Sequence, residues 1–361
     1  MRGDAHKAGR PEEAQAKGDR VAVAMSGGVD STLSAWLLRE AGYQVVGLSL
    51  RLGQGPDMGW RAGADAAAEL GIAHHVVDVS GEFWPRVVEP AVATYAAGRT
   101  PNPCAWCNAR VKLPLLWREA RRLGCRGLAT GHYVRLEERA GRVVLAEARH
   151  RAKSQGYFLA RVPPDLLAVL AFPLGELSKE QVREMAARLG LSAAQRAESQ
   201  DVCFLPAGGW DELVAAAGAV RPGEIRDQAG RVLARHQGLH RFTVGQRRGL
   251  GVALGWPAYV LAIDGQRATV TVGPAEDLWA WGLVGTSPRW YLPRAWEGPL
   301  RVRVRYAHRG VACRVVPEGG RVRVEFAEPV RAVAPGQLAV FYAGEVIAGS
   351  AWIERALFTE P

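Results

Sequence analysis

The chain has 361 residues, of which 48% are hydrophobic, so its length and composition predict a globular protein of two or three domains. No apolar run is long enough to cross a bilayer and the N-terminus lacks the apolar segment of a signal peptide, so we expect a cytoplasmic protein without a membrane partner. The formal net charge of +10 favours a polyanionic partner, although an alanine- and arginine-rich composition explains it equally well. Residues 1–19 are polar and of mixed charge, which is typical of a disordered leader.

The first predicted elements are a buried strand, a tight glycine turn and a helix. The strand is the apolar run Val21–Ala24, and helical spacing of apolar residues begins at Leu33. Between them lies Ser-Gly-Gly-Val-Asp-Ser, residues 26–31, whose backbone N–H groups are expected to converge on a phosphate. Asp30 is suited to hold Mg²⁺ on such phosphates. The hexapeptide resembles the PP-loop of ATP pyrophosphatases, which cleave ATP between the α and β phosphates and adenylate a substrate oxygen.

Further strands alternate with helices in the first part of the chain. The pattern predicts strands over 44–50, 74–79 and 127–130, and helices over 62–70, 83–97 and 109–123. This alternation is typical of a doubly wound parallel sheet. Ligands of such sheets bind beyond the carboxyl ends of the strands, where the 26–31 turn and Gly131 are both expected to lie.

The five cysteines are sparse and odd in number, which excludes a secreted disulfide framework. Cys104 and Cys107 form a Cys-x-x-Cys after an irregular proline-containing loop, a pattern that favours redox, metal or nucleophilic chemistry. Zinc would need a second such pair, and the sequence has none. Because Cys107 precedes a predicted helix and has basic neighbours, we expect its thiol pKa to be lowered. Cys125 and Cys313 are predicted to be structural.

Two serines are predicted to cap helices in the second half of the α/β region. Ser154 precedes the apolar residues Tyr157 and Leu159 at helical spacing. Ser178 and Gln181 have the spacing of a capping box. Each serine would therefore fix the first turn of a helix.

From residue 221 onward short strands and turns replace helices, which predicts a small β module followed by a β-barrel. In the module, the basic glycine-rich segment 245–251 is either a hairpin tip or a loop that tracks a phosphate backbone. Residues 258–263 and 268–272 are predicted to form a hairpin. In the barrel, residues 301–306 alternate strictly, so that three arginines face one way as an RNA footprint or as a solvated strand face.

Taken in order, these motifs resemble the bacterial tRNA-specific 2-thiouridylases, the MnmA/TrmU family. The resemblance runs from about residue 21 to residue 353 and includes Ser-Gly-Gly-Val-Asp-Ser (26–31), Gly-Arg-Thr-Pro-Asn-Pro (98–103), Ala-Thr-Gly-His-Tyr (129–133), Lys-Ser-Gln-x-Tyr-Phe-Leu (153–159) and Pro-Gly-Gln-x-Ala-Val-Phe-Tyr (335–342). It implies an α/β PP-loop domain of the adenine nucleotide α-hydrolase-like type with a parallel sheet over 20–208. A small central β domain over 209–278 and a C-terminal β-barrel over 279–361 would follow.

The resemblance also implies which residues bind which ligand. Those expected to bind ATP are Ala24, Met25, Ser26, Gly27, Gly28, Val29, Asp30, Ser31, Leu50 and Gly131. Those expected to contact tRNA or its target base are Asn102, Pro103, Cys104, Lys153, Ser154, Gln155, Arg305 and Tyr306. Cys203 is expected to carry a persulfide, Cys107 to be the second catalytic thiol, and the two to form a transient disulfide.

The implied reaction is ATP-dependent sulfur transfer to the wobble uridine of tRNA. The C2 oxygen is adenylated with release of pyrophosphate, and a persulfide on Cys203 then supplies sulfur, giving 2-thiouridine and AMP. The implied cofactors are ATP and Mg²⁺, and the implied partners are the anticodon loop of tRNA and a persulfide donor such as a cysteine desulfurase or a sulfur-relay protein. The persulfide attacks C2 directly, or Cys107 releases hydrosulfide from it; both routes end in a Cys107–Cys203 disulfide.

Two departures from the family pattern leave alternatives open. Cys104 stands where some members carry aspartate, so Cys104, Cys107 and Cys203 together can in principle hold a [4Fe–4S] cluster, as in cluster-dependent tRNA thiolases. The segment 51–61 is short beside typical members, which leaves the range of tRNAs and sulfur donors open. A PP-loop ligase of a small metabolite is a second hypothesis, but it leaves the cysteines unexplained. A third is a non-catalytic RNA-binding protein, against which the intact catalytic residues argue.

Overall fold

The computed structural model describes residues 18–53, 58–196, 202–293 and 298–359. Most of the predicted leader (1–17) and the middle of the short 51–61 segment (54–57) therefore lie outside the described residues. No helix in the described ranges is both long and apolar enough to cross a bilayer. The chain forms, in order, a parallel sheet with helices, a small four-stranded sheet and a barrel.

The N-terminal part contains a five-stranded parallel sheet. Its strands and those of an adjoining hairpin are, in chain order, β1 (Arg20–Ala24), β2 (Gln44–Arg51), β3 (Ala73–Asp78), β4 (Gly127–Thr130), β5 (Val134–Arg139), β6 (Arg142–Glu147) and β7 (Leu170–Ala171). The sheet has the order β3-β2-β1-β4-β7 with every neighbouring pair parallel, as predicted. The strand order reverses between β1 and β4, so the ligand crevice of this sheet opens beyond Ala24 and Thr130.

Ten α-helical segments occur in the described part of the chain. They are α1 (Val29–Glu40), α2 (Met58–Glu69), α3 (Ser80–Phe83), α4 (Glu89–Ala96), α5 (Pro103–Cys107), α6 (Leu113–Arg122), α7 (Gly156–Leu159), α8 (Pro164–Leu167), α9 (Lys179–Arg188) and α10 (Gly209–Ala216). A π-helical turn over Trp84–Val88 joins α3 to α4, and another over Asn108–Lys112 joins α5 to α6. The second join makes one continuous helical stretch that begins at Pro103.

Strand β1 is covered on both faces. Val21 and Val23 belong to one buried apolar cluster, which also contains Leu33 of α1. Ala22 and Ala24 belong to a second cluster on the opposite face, and that cluster extends into the barrel. Burial of alternate residues on two faces explains why the strand reads as a continuous apolar run.

The β5–β6 hairpin leaves the parallel sheet and joins the C-terminal barrel. Its strands pair antiparallel, and Ala146 pairs with Val346 of the barrel. Leu145 of the hairpin and Ile347 of the barrel lie in the same buried cluster. The first and last parts of the chain therefore share a hydrophobic core.

The middle part is a four-stranded sheet. Its strands are β8 (Gly223–Arg226), β9 (Val232–His236), β10 (Tyr259–Asp264) and β11 (Thr269–Gly273), in the order β10-β11-β8-β9. Strands β10 and β11 form the predicted hairpin, whereas β11 and β8 are parallel. The segment 245–251 is not a hairpin tip, because it lies in a long connection between a 3₁₀ turn at Leu239–Arg241 and β10. Arg247 and Arg248 are exposed on this connection.

The C-terminal part is a closed antiparallel barrel. Its strands are β12 (Trp279–Trp290), β13 (Leu300–Arg303), β14 (Val311–Glu318), β15 (Arg321–Arg331), β16 (Leu338–Ala343) and β17 (Val346–Leu357). Pairing of β12 with β17 closes it, and Val302, Val324 and Phe341 fill the interior. The predicted fold class, an α/β PP-loop domain followed by a β module and a β-barrel, is confirmed.

The arginines of the predicted alternating strand do not share one open face. Arg303 is buried and forms an ion pair with the buried Glu147 of β6, which Arg301 also approaches to 3.7 Å. Arg305 lies beyond the end of β13 and donates a hydrogen bond of 2.9 Å to the carbonyl of Arg331. Neither predicted role, RNA footprint or solvated face, holds for Arg303, because a buried carboxylate requires a cationic partner.

Candidate nucleotide and thiol site

The turn between β1 and α1 has a geometry suited to phosphate binding. Gly27 has a φ of +74°, and Gly28 is the N-cap residue of α1, with no side chain capping the first turn. The hydroxyls of Ser31 and Thr32 donate to the Gly28 carbonyl at 3.1 and 3.0 Å. A first turn without a side-chain cap, together with the helix dipole, favours an anion at this position.

Asp30, in the first turn of α1, is held by two side chains from distant segments. The Lys179 Nζ lies 2.8 and 2.9 Å from the two carboxylate oxygens, and the Tyr133 hydroxyl donates to Oδ1 at 2.7 Å. The Lys179 side chain is 8% exposed and that of Asp30 is 33% exposed. Sequence reasoning missed Lys179. The structure confirms the capping box of Ser178 and Gln181, which places Lys179 at the first position of α9. That box was the one feature of the sequence that could have drawn attention to Lys179.

The other predicted ATP residues lie at the same edge of the sheet. Leu50 is half-buried near the end of β2, and Gly131 directly follows β4. A Cβ on Gly131 would lie 2.8 Å from backbone atoms of Asp30 and Ser31, so only glycine lets the loop after β4 pack against α1. Ser31 of the predicted set is buried, and so are three of its apolar members, Ala24, Met25 and Val29. Contacts of these three with ATP would therefore run through their backbone.

The donor set at this edge fits Mg²⁺ bound to nucleotide phosphates. Asp30 is the acidic residue of the 26–31 turn, and Mg²⁺ commonly takes one or two carboxylates while phosphates and water supply its other ligands. Lys179 contacts both carboxylate oxygens, so the ion would have to compete with an ammonium group. Asp30 is thus suited to be a single protein ligand, and Lys179 is the group that the ion would displace.

The Cys-x-x-Cys lies inside a helical stretch rather than before one. Helix α5 begins at Pro103, and the Asn102 side chain accepts a hydrogen bond from the Ala105 N–H at 3.2 Å. Cys104 and Cys107 lie three residues apart in this five-residue helix, so the two side chains share a face of the helix. The predicted helix start at residue 109 was too late, because the proline that suggested a loop occupies the first helical position.

The thiol pKa values are raised, so the prediction of a lowered pKa at Cys107 is wrong. Burial raises the pKa of Cys107 to about 12 and that of Cys104 to about 11, and the neighbouring Cys203 adds like-charge repulsion to both. Lys112 opposes the shift at both thiols. The prediction failed because Cys107 lies in a packed helix interior, where loss of hydration outweighs the nearby positive charge.

Cys203 reaches the same region from a separate segment. It is exposed, and its effect on the pKa of both Cys-x-x-Cys thiols shows that the three cysteines lie near one another. The adjacent Phe204 ring makes edge contacts with Phe83 and Trp210, at centroid distances of 5.2 and 5.9 Å. These contacts anchor the segment against the apolar cluster on which Cys107 also packs.

The described residues give no support to a [4Fe–4S] cluster. Within the described ranges, no group of three or more His, Cys, Asp or Glu side chains is arranged to hold a metal ion. No step is therefore assigned to a cluster.

Lys112 connects the thiols electrostatically with the nucleotide edge. Its positive charge opposes the rise in the pKa of Cys104 and of Cys107. The same charge contributes to the lowered pKa of His132 in the loop after β4. Burial is the larger cause at His132, whose Nδ1 lies 2.7 Å from the Thr130 hydroxyl. One ammonium group thus acts on both thiols and on the residue that follows Gly131.

Three family models match the chain in succession. Residues 19–207 match a tRNA methyl transferase HUP domain, residues 211–274 a tRNA methyl transferase PRC-barrel domain, and residues 281–353 an aminomethyltransferase beta-barrel domain. The tRNA-specific 2-thiouridylase MnmA of Syntrophotalea carbinolica is 46% identical over 93% of this chain and 99% of its own length. Those of Geobacter metallireducens and Sorangium cellulosum are each 42% identical, over 94% and 96% of this chain and 97% and 95% of their own. This chain belongs to the MnmA family. The family predicted from the ordered motifs is confirmed.

In this MnmA-family chain, Tyr306 of the barrel packs near the start of the cysteine helix. Its ring lies 4.8 Å from that of Phe158 and 6.4 Å from that of Tyr157, both in α7. The Tyr157 hydroxyl interacts in turn with Asn102, the N-cap residue of α5. The barrel therefore brings one predicted tRNA contact, Tyr306, close to the predicted base contacts at residues 102–104.

Two of the three residues in the Lys-Ser-Gln segment before α7 use their side chains in hydrogen bonds within the protein. Ser154 is buried and accepts a hydrogen bond from the Ala148 N–H at 3.1 Å, so its prediction as a helix cap is wrong. Gln155 is the residue that precedes α7, and its side chain accepts from the Tyr133 N–H at 3.0 Å. Lys153 is exposed. Of these three residues, Lys153 presents its side chain best to a ligand in solution.

Proposed function

We propose that this chain is an ATP-dependent sulfurtransferase that converts the wobble uridine of tRNA to 2-thiouridine. The observation that carries the proposal is that Leu50, at the nucleotide edge of the sheet, packs against the same apolar cluster as Cys107 and Phe204, the neighbour of Cys203. Adjacent phosphate and thiol sites suit a reaction in which ATP activates an atom that sulfur then attacks. The names of the relatives, tRNA-specific 2-thiouridylases, support tRNA as the substrate.

Activation uses the turn at residues 26–31. The phosphates of ATP would bind at the N-terminus of α1, and the C2 oxygen of uridine attacks the α-phosphorus. The bond to the bridging oxygen breaks and pyrophosphate leaves, so uridine becomes an O-adenylate. Lys179, displaced from Asp30, would neutralise charge on the departing pyrophosphate. Mg²⁺ held by Asp30 and the phosphates would supply further charge neutralisation.

Sulfur transfer uses the thiols of two separate segments. A cysteine desulfurase or a sulfur-relay protein would load a persulfide on Cys203, which is exposed. Its terminal sulfur attacks C2 and AMP leaves; the Cys107 thiolate then attacks the Sγ of Cys203, and the sulfur stays on C2. In the second route Cys107 attacks first and the released hydrosulfide attacks C2. Both routes leave a Cys107–Cys203 disulfide and reduce the transferred sulfur to sulfide.

The target base must leave the anticodon stack to reach these groups. We assign the base contacts to Asn102, Pro103 and Cys104, since all three lie in the first turn of the helix that carries Cys107. Contacts to the rest of tRNA are assigned to Lys153, Ser154, Gln155, Arg305 and Tyr306. Tyr306 is 37% exposed, so its ring offers a surface on which an unpaired base can stack.

The test combines two assays on unmodified tRNA. Exchange of pyrophosphate into ATP reports adenylation, and nucleoside mass spectrometry reports 2-thiouridine. We expect Cys203→Ser to lower thiolation by more than about 10³-fold while tRNA-dependent exchange persists. Cys313→Ser, whose thiol lies in β14 of the barrel, is the control and is expected to keep both activities. Unchanged thiolation in Cys203→Ser would refute the sulfur route, and exchange that does not depend on tRNA would favour the small-metabolite ligase.

A further inference from the structure

The proposed reaction does not use Cys104 as a thiol, yet Cys104 lies on the same helical turn as Cys107. Helix geometry places Cα atoms three residues apart at a separation of about 5 Å. Disulfides form between cysteines whose Cα atoms are about 4.4–6.8 Å apart. The Cα spacing of helix α5 is therefore compatible with a bridge between Cys104 and Cys107.

The electrostatic balance at Cys104 changes when the other two cysteines are oxidised. In the reduced site, the charge of Cys203 raises the pKa of Cys104 and that of Cys107, while Lys112 lowers both. A Cys107–Cys203 disulfide carries no charge, so the repulsion from Cys203 disappears and the attraction of Lys112 remains. Oxidation of that pair therefore favours the thiolate of Cys104, which is the nucleophilic form.

We propose that Cys104 is the resolving thiol of this site: its sulfur attacks the Sγ of Cys107 in the Cys107–Cys203 disulfide. A Cys104–Cys107 bond forms, the Cys107–Cys203 bond breaks, and Cys203 leaves as a thiolate that takes up the proton lost by Cys104. No electrons enter or leave, because the oxidising equivalent only moves from one pair to the other. The inference rests on the proposed function, since that reaction generates the first disulfide.

The exchange returns the exposed Cys203 to the thiol form and leaves the disulfide on Cys104 and Cys107. Cys203 becomes available for the next persulfide, and the remaining disulfide lies between half-buried residues of one helix. The exchange needs no reductant; a dithiol then restores Cys104 and Cys107. Attack on Cys107 rather than on Cys203 follows from the fold, because Cys104 and Cys107 share a turn whereas Cys203 comes from another segment.

The experiment maps disulfides in the full-length protein after oxidation with diamide, without tRNA or ATP. The samples are quenched in acid, alkylated and digested with trypsin, which leaves Cys104 and Cys107 together in peptide 100–110 and Cys203 in another. We expect the Cys104–Cys107 bridge to exceed the Cys107–Cys203 bridge at least about tenfold, equivalent to about 30 mV. In Cys104→Ser the Cys107–Cys203 bridge should become the main product, and Cys313→Ser should give the wild-type map.

Three outcomes decide between the proposals. A wild-type map dominated by the Cys107–Cys203 bridge, with Cys104 alkylated, overturns the inference, and so does a Cys104–Cys203 bridge. The thiolation assay is run on the same preparation. Protein that forms the Cys104–Cys107 bridge but makes no 2-thiouridine would support the exchange and refute the proposed function. Cys104→Ala provides a second variant, and circular dichroism of both variants checks that they fold.

Discussion

The proposed phosphate site and the proposed thiol site differ in how their reactive groups are held. Lys179 and Tyr133 both donate hydrogen bonds of 2.7–2.9 Å to the Asp30 carboxylate. The phosphate site is therefore polar and organised before a ligand binds. At the thiol site, apolar packing surrounds Cys107 and burial raises its pKa to about 12. The first site is therefore ready to act, whereas the second keeps its thiol protonated. We expect ionisation of a thiol to limit sulfur transfer but not adenylation.

The largest effect on adenylation is expected for Lys179→Met. Loss of the ammonium group removes the cation beside the proposed phosphate site and leaves the Asp30 carboxylate without the Lys179 ion pair. Pyrophosphate exchange should fall by about 10²–10³-fold. Lys179→Arg keeps the charge and is the matched control, for which partial activity is expected. Exchange within twofold of wild type in Lys179→Met would mean that this ion pair serves folding alone.

A second prediction concerns the shape of the phosphate turn. In Gly27→Ala the new Cβ would overlap the backbone of Ala62, and the positive φ of +74° is unfavourable for alanine. We expect exchange to fall about 10²-fold, because a small displacement of the turn misplaces the phosphates. Gly71→Ala is the control, since Gly71 has a φ of +64° and an added Cβ there would meet no atom within 4 Å.

The Gly71→Ala control distinguishes the effect of backbone strain at a positive φ from the effect of displacing the phosphate turn. Gly71→Ala should lower the free energy of unfolding by about 1 kcal/mol and leave exchange unchanged. Equal losses of exchange in the two variants would show that backbone strain, rather than contact with Ala62, accounts for the effect at Gly27. Thermal unfolding and exchange measured on the same samples distinguish these results.

The two regions also differ in how much of them the sequence predicts. The phosphate turn is contiguous, so local propensities indicate strand, turn and helix. Lys179 is 149 residues from Asp30, and the sequence marks it only as the start of a helix. The basic neighbours of Cys107 are visible in the sequence, but the packing that outweighs them is not. Alternation likewise indicates which side of β13 bears Arg303, but not that Glu147 of a distant hairpin lies there.

The third prediction tests whether thiol ionisation limits sulfur transfer. Below the Cys107 pKa of about 12, the thiolate fraction rises about tenfold per pH unit, so single-turnover thiolation should rise from pH 7 to pH 9. Lys112→Gln removes the cation that lowers this pKa, so the profile should move to higher pH by about one pH unit and the rate at pH 8 should fall about tenfold.

Lys112→Arg is the matched control, because it keeps the positive charge, and its profile should stay near that of the wild type. Exchange should be far less sensitive to pH than thiolation in all three proteins. Superimposed profiles for Lys112→Gln and the wild type would contradict the limiting role of the thiol. Rapid-quench thiolation with preloaded Cys203 provides the rates.

The smallest effect is expected for Phe204→Leu, which loosens the anchor of the segment that carries Cys203. Edge contacts with Phe83 and Trp210 are worth about 0.5–1.5 kcal/mol, so sulfur transfer should slow by about 2–10-fold. Phe358→Leu is the control, because Phe358 is 57% exposed and lies beyond the last barrel strand. Adenylation should be unchanged in both variants. If Phe204→Leu also slowed exchange, the packing that positions the thiols would support the phosphate site as well, and the two sites would not be held independently.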